Sequence, residues 1–159
     1  NKDEIVVASM MKRKTVISKL GIEMTVDTTI EEVDLDDFDF LFIPGGPGAF
    51  KILNTLPKVD EIIKHFVDNH KLITAICAAP MLIGRLGYLK GKNYTVHPGF
   101  EDQIIGGNYQ RKLGVVKDHN FIMGKSMYYA FEVALEVVRF FYGDKHTEIL
   151  LNSLQGEMK

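Results

Sequence analysis

Cys77 is the only cysteine among the 159 residues, and its neighbours place it at a sharp corner of the chain. Leu72–Ile76 is a short apolar run typical of a buried strand, and residues 81–86 have helical spacing. A nucleophilic side chain at such a strand-to-helix turn is the arrangement of a nucleophile elbow, which predicts a strained backbone at Cys77. Unpaired N–H groups at the helix start favour the thiolate. The alternative is a buried structural cysteine, which the flanking pattern disfavours.

Two further loops follow predicted strands and carry residues suited to the same chemistry. Residues 38–43 form a continuous apolar run, which predicts a strand covered on both faces, and they lead into the glycine-rich segment 44–48. Residues 94–96 lead into His97. The carboxyl ends of parallel strands meet in one crevice, so we expect His97 beside Cys77, each at the end of one of two adjacent strands.

Each loop offers a group that cysteine chemistry needs. Cys77 is the candidate nucleophile, and the main-chain N–H groups of Gly46 and Ala78 are candidates for an oxyanion hole. His97 is the candidate acid, base or orienting partner. Taken alone, the glycine loop and His97 fit ordinary turns, and only their shared position after strands favours a site. The other pocket candidates are Gly45, Pro98 and Tyr128. Of these, Tyr128 either lines the crevice or belongs to a half-buried core.

Length and composition indicate one domain over residues 1–159 and exclude several functional classes. The formal net charge of −2 gives no basic surface for nucleic acid. The sequence shows no membrane-spanning run and no signal peptide. One cysteine excludes an intramolecular disulfide and a cysteine-cluster zinc site, so we expect a cytoplasmic protein. The acidic residues between positions 30 and 39 lack regular ligand spacing, and no metal site is expected.

Strand and helix patterns alternate along the chain. Apolar runs predict strands, hairpins are expected around residues 20–21 and 118–120, and residues 59–67 and 131–138 each mark one face of a helix. This alternation predicts an α/β three-layer sandwich with a mostly parallel central sheet and helices on both faces.

The first strand and helix expected of such a sheet are not found at the start of this sequence. A doubly wound sheet normally begins with a central strand followed by a helix, but nothing precedes residues 5–8, and residues 10–14 are too short for a packed helix. The sequence also starts at Asn1 and not at methionine. We therefore expect residues 5–8 to form an inner or near-edge strand beside a missing N-terminal β–α segment. Phe42 and Ile73 would then be left uncovered.

The chain resembles the ThiJ/PfpI superfamily, specifically the branch of the Parkinsonism-associated deglycase. The segments that carry the resemblance are FLFIPGGPGA, LITAICAAP, YTVHPGFED, GGNY and AFEVALEVV, in this order along nearly the whole chain. The resemblance implies a flavodoxin-like fold, a homodimer and an activity without cofactors. It also implies that Cys77 is an oxidation-prone nucleophile, with His97 and the N–H groups of Gly46 and Ala78 around it.

The chain lacks the histidine of one branch of the superfamily and departs from the family pattern in two respects. Ala78 stands where the protease-like branch has a histidine, which argues against a Cys-His peptidase arrangement. The family's glutamate that hydrogen-bonds the cysteine sulfur comes from a helix after the first strand, and no carboxylate of this sequence can be assigned its role. Residues 125–129, Lys-Ser-Met-Tyr-Tyr, replace a glycine-proline loop, so the pocket and the substrate can differ.

The predicted activity is cysteine chemistry on small reactive aldehydes or glycated substrates, as a glyoxalase or deglycase linked to oxidative stress. A competing interpretation is a non-enzymatic redox-responsive chaperone or regulatory protein, in which Cys77 only cycles through oxidised states. A third interpretation, a cysteine hydrolase or amidase, needs a base close to the cysteine and a downstream carboxylate, neither of which the sequence alone assigns.

Overall fold

A computed structural model describes residues 3–157, so the chain start at Asn1 lies outside the described residues. The strands are β1 (Ala8–Ser9), β2 (Thr15–Ile17), β3 (Glu23–Thr25), β4 (Thr28–Thr29), β5 (Phe40–Ile43), β6 (Leu72–Ile76), β7 (Asn93–Tyr94), β8 (Asn108–Tyr109), β9 (Val115–Asp118) and β10 (Phe121–Gly124). The α-helices are α1 (Pro47–Lys51), α2 (Pro57–Asp68), α3 (Pro80–Gly84) and α4 (Ala130–Leu154). Short 3₁₀ turns occur at Ile30–Glu32, Leu35–Asp37, Leu53–Thr55, Glu101–Gln103 and Met127–Tyr129.

The central sheet has four strands in the order β5-β6-β10-β9. β5, β6 and β10 are parallel, and β9 pairs antiparallel with β10 through the predicted hairpin. All five residues of β6 are buried because the strand has a neighbour on each side and a helix over each face. This strand carries Cys77 at its carboxyl end, so the nucleophile candidate is attached to the best-packed element of the fold.

Helices cover both faces of the sheet, as the three-layer prediction requires. On one face, Ile73 and Ala75 of β6 pack in the core with the apolar side of α2. On the other face, Leu72 and Ile76 pack against Val133 of α4. The alternation follows from the two-residue period of a strand. The apolar positions of α2 recur at helical spacing and are all buried; they are Val59, Ile62, Ile63 and Phe66.

Helix α4 is interrupted at Gly143, whose φ of 77° and ψ of 175° are not helical. Only glycine adopts such a conformation at low cost, so the residue divides the helix into two segments. The first segment packs on the sheet, and Phe141 at its end lies 6.0 Å from the ring of Phe40. Among the described residues, no helix is both long and apolar enough to cross a membrane.

The predicted strand at residues 5–8 is wrong for residues 5–7. In this part of the chain the only strand is β1, which begins at Ala8 and pairs in parallel with β4 in a separate two-stranded sheet. Ile5 and Val7 are 75% and 52% exposed, so neither belongs to a core. Their β-branched side chains favour extended backbone, but a strand also requires a partner, and only residues 8 and 9 find one. The predicted hairpin around residues 20–21 is confirmed, since β2 and β3 pair antiparallel.

The expectation that β5 is covered on both faces is also wrong. Phe42 is 46% exposed, because β5 is an edge strand of the central sheet and pairs only with β6 among residues 3–157. The expectation that Phe42 is left uncovered is confirmed. The same expectation for Ile73 is wrong, because this residue is fully buried under α2.

Candidate functional site

Cys77 forms the sharp corner that the sequence predicts. Its φ of 63° lies in the left-handed region, which is unfavourable for a residue with a Cβ, so the prediction of a strained backbone is confirmed. The Cys77 N–H donates to the Gly124 carbonyl at 2.8 Å and ends the pairing of β6 with β10. Pro80 then starts α3 at its first position, where no N–H is needed. The thiol is free and its residue half-buried.

The glycine loop lies directly against the cysteine. A Cβ added at Gly45 would stand 2.5 Å from the Cys77 Cβ and 2.7 Å from the Ile76 carbonyl oxygen. Real Cβ atoms do not approach so closely, so only glycine allows this contact. The next residue, Gly46, has a φ of 92° and precedes α1. The structure therefore brings the loop after β5 and the corner after β6 together, as the parallel topology predicts.

The two N–H groups proposed for the oxyanion hole have no hydrogen-bond acceptor within residues 3–157. Neighbouring groups are paired, since Ala49 N–H donates to the Gly46 carbonyl and Ala79 N–H to the Ile76 carbonyl. In the same range, neither the Gly46 N–H nor the Ala78 N–H donates to a protein acceptor. One of these donors follows Gly45, which contacts Cys77, and the other belongs to the residue after Cys77. Stabilisation of an oxyanion requires such unpaired main-chain donors.

His97 reaches the site by a route that the sequence did not predict. Its strand, β7, pairs with β8 in a separate two-stranded sheet and is not adjacent to β6, so the expected reason for its position is wrong. The His97 N–H nevertheless donates to the Cys77 carbonyl at 2.9 Å. Its Nδ1 lies 3.0 Å from the Pro98 carbonyl oxygen. Because a carbonyl only accepts, Nδ1 carries the proton and Nε2 is left as the basic nitrogen.

A tight turn follows His97. The Phe100 N–H donates to the His97 carbonyl at 3.2 Å, and Gly99 has a φ of 95°, which with Pro98 in the second position is the pattern of a type II turn. The Phe100 ring stands edge-on to the His97 ring at 6.2 Å, and Phe50 lies 5.1 Å from Phe100. These two phenylalanines place an aromatic surface next to His97.

Two residues that the sequence interpretation missed hold the segment around His97. Tyr109 stacks on Tyr94 at 5.4 Å, and its hydroxyl donates to the Val96 carbonyl at 3.3 Å. Burial is the main cause that raises the pKa of both tyrosines, which keeps the Tyr109 hydroxyl protonated.

The second missed residue is Glu101, which accepts a hydrogen bond from the Gly99 N–H at 2.6 Å. The Pro-Gly pair at 98–99 signals the turn, but nothing in the sequence signals which side chain closes it.

Tyr128 does not belong to a half-buried core. It is 85% exposed, with its ring edge-on to Tyr129 at 5.0 Å. It lies in the turn after β10, the strand whose Gly124 accepts from the Cys77 N–H.

Among the described residues, no group of three or more histidine, cysteine or acidic side chains is placed to hold a metal ion.

Known proteins similar to this chain include three curated relatives. Uncharacterized protein MJ0967 of Methanocaldococcus jannaschii is 37% identical over 77% of this chain and 62% of its own length. Deglycase PYRAB04690 of Pyrococcus abyssi is 34% identical over 77% of the chain and 73% of its own length. Glutathione-independent glyoxalase DJR-1.2 of Caenorhabditis elegans is 33% identical over 84% of the chain and 72% of its own length. The chain thus spans less than two thirds of the first relative.

A solved structure and a family model agree with these relatives. The crystal structure of Drosophila melanogaster DJ-1beta superposes with a TM-score of 0.81 at 27% identity, covering 89% of this chain and 77% of the other. The similarity confirms the α/β fold expected from the sequence. The model described as the DJ-1/PfpI family matches residues 2–140. The chain therefore belongs to the DJ-1/PfpI family.

Proposed function

We propose that this protein is a cysteine-dependent glyoxalase or deglycase that acts on small reactive aldehydes without a cofactor. The observation that supports it best is the left-handed backbone conformation of Cys77 next to two unpaired main-chain N–H groups, those of Gly46 and Ala78. The names of the relatives, a deglycase and a glutathione-independent glyoxalase, point to the same chemistry.

The proposed reaction begins when the Cys77 thiolate attacks the aldehyde carbon. A C–S bond forms, and the electrons of the C=O double bond move to the oxygen, which accepts hydrogen bonds from the Gly46 and Ala78 N–H groups. The oxygen then takes up a proton, in place of the one that the thiol lost, and the product is a hemithioacetal. No external electron acceptor is needed, because the carbonyl itself takes up the electron pair.

His97 is proposed as the group that moves protons within this intermediate. Its Nε2 takes the proton from the former aldehyde carbon of a 2-oxoaldehyde, which gives an enediolate, and returns it to the neighbouring carbon. The hydroxyl proton on the first carbon passes to the oxygen of the neighbouring carbon, so the hemithioacetal becomes a thioester. Water then hydrolyses the thioester to a 2-hydroxy acid and restores the thiol. Nδ1, bonded to the Pro98 carbonyl, keeps its proton throughout.

Methylglyoxal tests this proposal, with lactate as the expected product followed by proton NMR. The wild-type protein should convert it, and Cys77→Ser should not, because the alcohol is a poor nucleophile at neutral pH. Leu20→Ala serves as the control, since Leu20 is 83% exposed in the turn between β2 and β3, outside the segments that form the cysteine corner. Wild-type protein that folds and binds methylglyoxal without releasing lactate contradicts the proposal.

A second candidate function, a redox sensor without turnover, is supported by the half-buried free thiol. With no other cysteine in the chain, an oxidised Cys77 has no intramolecular disulfide partner, so sulfenic and sulfinic acids are the available states. A link to oxidative stress and a homodimer belong to the proposal through the family resemblance, and a cytoplasmic location belongs to it through the single cysteine. Light scattering of the purified protein tests the dimer. Absence of turnover together with reversible oxidation would favour the sensor.

We also propose that a further β–α segment covers the free edge of β5, either from the same polypeptide or from another chain. Its support is the 46% exposure of Phe42 at this edge, together with the exposed Ile5 and Val7. An open edge of main-chain donors and acceptors is a feature that stable sheets avoid.

A further inference from the structure

The peptide group between Pro98 and Gly99 carries hydrogen bonds at both of its ends. Its carbonyl oxygen accepts from Nδ1 of His97 at 3.0 Å. Its N–H donates to Oε2 of Glu101 at 2.6 Å. In a trans peptide the C=O and N–H point in opposite directions, so the imidazole and the carboxylate lie on opposite sides of one planar group.

A negative charge at one end of an amide strengthens the hydrogen bond at the other end. The carboxylate draws the N–H proton towards itself, and the amide resonance shifts electron density onto the carbonyl oxygen. The oxygen then accepts more strongly from Nδ1–H. The short contact between Glu101 and the Gly99 N–H is charge-assisted, which makes this polarisation larger than a neutral acceptor would cause.

We propose that Glu101 is a positioning residue for His97 and acts through the Pro98–Gly99 peptide. It holds the ring in the orientation and tautomer that keep the proton on Nδ1 and leave Nε2 free as a base. Among residues 3–157 no carboxylate bonds the His97 ring directly, so the peptide takes the place that an acidic side chain has in a Ser-His-Asp triad. The catalytic consequence depends on the proposed function, whereas the tautomer does not.

The charge state and the local backbone support this role. The pKa of Glu101 is lowered, first by its own main-chain N–H and further by the Gly99 N–H and Arg111, so the carboxylate is ionised at neutral pH. The turn itself is rigid, because Pro98 has a fixed φ and the Phe100 N–H closes it onto the His97 carbonyl. A rigid turn transmits the position of the carboxylate to the imidazole.

The first test needs no substrate and no variant. Two-bond ¹H–¹⁵N spectra of the wild-type protein, labelled at histidine, distinguish a ring protonated on Nδ1 from one protonated on Nε2. The inference requires neutral His97 to carry its proton on Nδ1. A neutral ring protonated on Nε2 overturns it.

Variants then test whether Glu101 is the cause. Glu101→Ala should move the ring towards the Nε2–H tautomer and lower kcat for methylglyoxal about tenfold, with KM changed by less than about twofold. Glu101→Gln keeps an acceptor oxygen but loses the charge. Its fraction of Nδ1–H tautomer and its kcat should therefore both lie between the values of wild type and Glu101→Ala. The matched control is Asp102→Ala, which removes the same charge from the next residue, whose side chain is exposed.

The outcomes separate this inference from the proposed function. If Glu101→Ala and Asp102→Ala give the same tautomer and the same kcat, Glu101 has no positioning role. If wild type converts no methylglyoxal but Glu101→Ala still changes the tautomer, the proposed function fails and the role of Glu101 stands. If Glu101→Ala does not fold, Glu101→Gln provides the comparison, and a tautomer unchanged from wild type in that variant contradicts the inference.

Discussion

The His97 N–H donates a 2.9 Å hydrogen bond to the carbonyl oxygen of Cys77, which ties the two candidate reactive residues together through their main chains. The bond joins the loop between β7 and β8 to the corner after β6. Because it involves no side chain, either residue can be substituted without removing it. The chemistry of each side chain can therefore be tested separately from the geometry of the site.

Substitution of His97 should affect catalysis and leave the fold intact. His97→Ala is expected to lower methylglyoxal turnover about 100-fold, the usual scale for a lost acid–base group, because the exposed ring contributes little to packing. The control is His146→Ala, whose ring also bonds a main-chain carbonyl, that of Tyr142, but lies on α4. Equal activity of the two variants would mean that His97 has no catalytic role, and unfolding of His97→Ala would make His97 a structural residue.

Substitution of Gly45 should disturb the cysteine corner. A Cβ at this position meets the Cys77 Cβ at 2.5 Å, so Gly45→Ala is expected to lower the free energy of unfolding by about 1–3 kcal/mol and to reduce the reactivity of Cys77. Gly48→Ala is the matched control, since a Cβ there has open space within 4 Å. Urea unfolding and iodoacetamide labelling measure the two effects. Similar behaviour of both alanine variants would show that the close contact is not required.

Mild peroxide should oxidise Cys77 before any methionine. A thiol can ionise to a nucleophilic thiolate, which reacts with peroxide, whereas a thioether has no such reactive form. Met127 provides an internal comparison because it is 86% exposed, more than the half-buried Cys77. Peptide mass spectrometry over a peroxide time course decides the order. Earlier oxidation at Met127 would mean that exposure, and not the environment of the thiol, controls reactivity.

The part of the site encoded in local sequence was predictable. Small residues around Cys77 and the glycines after β5 specify a tight corner and a close approach, and the positive φ of Cys77 follows from them. The carboxyl-end rule for parallel strands also placed the glycine loop correctly. These features depend on residue types within a few positions of one another.

The rest depends on long-range pairing that residue types do not reveal. His97 was expected on a strand next to β6, but its short strand pairs with β8 instead. Glu101 was missed because its carboxylate accepts a hydrogen bond from a main-chain N–H, and no residue type in the sequence indicates such a bond. Ile5 and Val7 have strong strand propensity but lie exposed and outside β1. The Val7 carbonyl accepts from the Asp27 and Thr28 N–H groups at the start of β4, and regular strand pairing begins only at Ala8.

The contribution of Glu101 to stability should depend on pH. Its folded-state pKa is lowered, so the stabilisation is fully present above the unfolded value of about 4.3 and is lost as the pH falls through the lower folded value. The difference in free energy of unfolding between wild type and Glu101→Gln should therefore shrink between pH 6 and a more acidic pH, about 3. Urea titrations at both pH values measure it, with Asp102→Asn as the control. A difference that grows in acid has the wrong sign for this account.

The free edge of β5 should be covered in the protein purified from its natural source. The Asp39 carbonyl accepts from the Leu72 N–H of β6, so with alternating main-chain directions Phe42 presents its N–H to the opposite, open edge. A covering strand would protect this amide against hydrogen exchange as strongly as that of Leu41, which faces β6. Exchange measured by NMR on the natural polypeptide and on residues 1–159 alone gives the comparison. Rapid exchange at Phe42 beside slow exchange at Leu41 in the natural polypeptide would show that the edge stays open. The proposed β–α segment would then have no place in the fold.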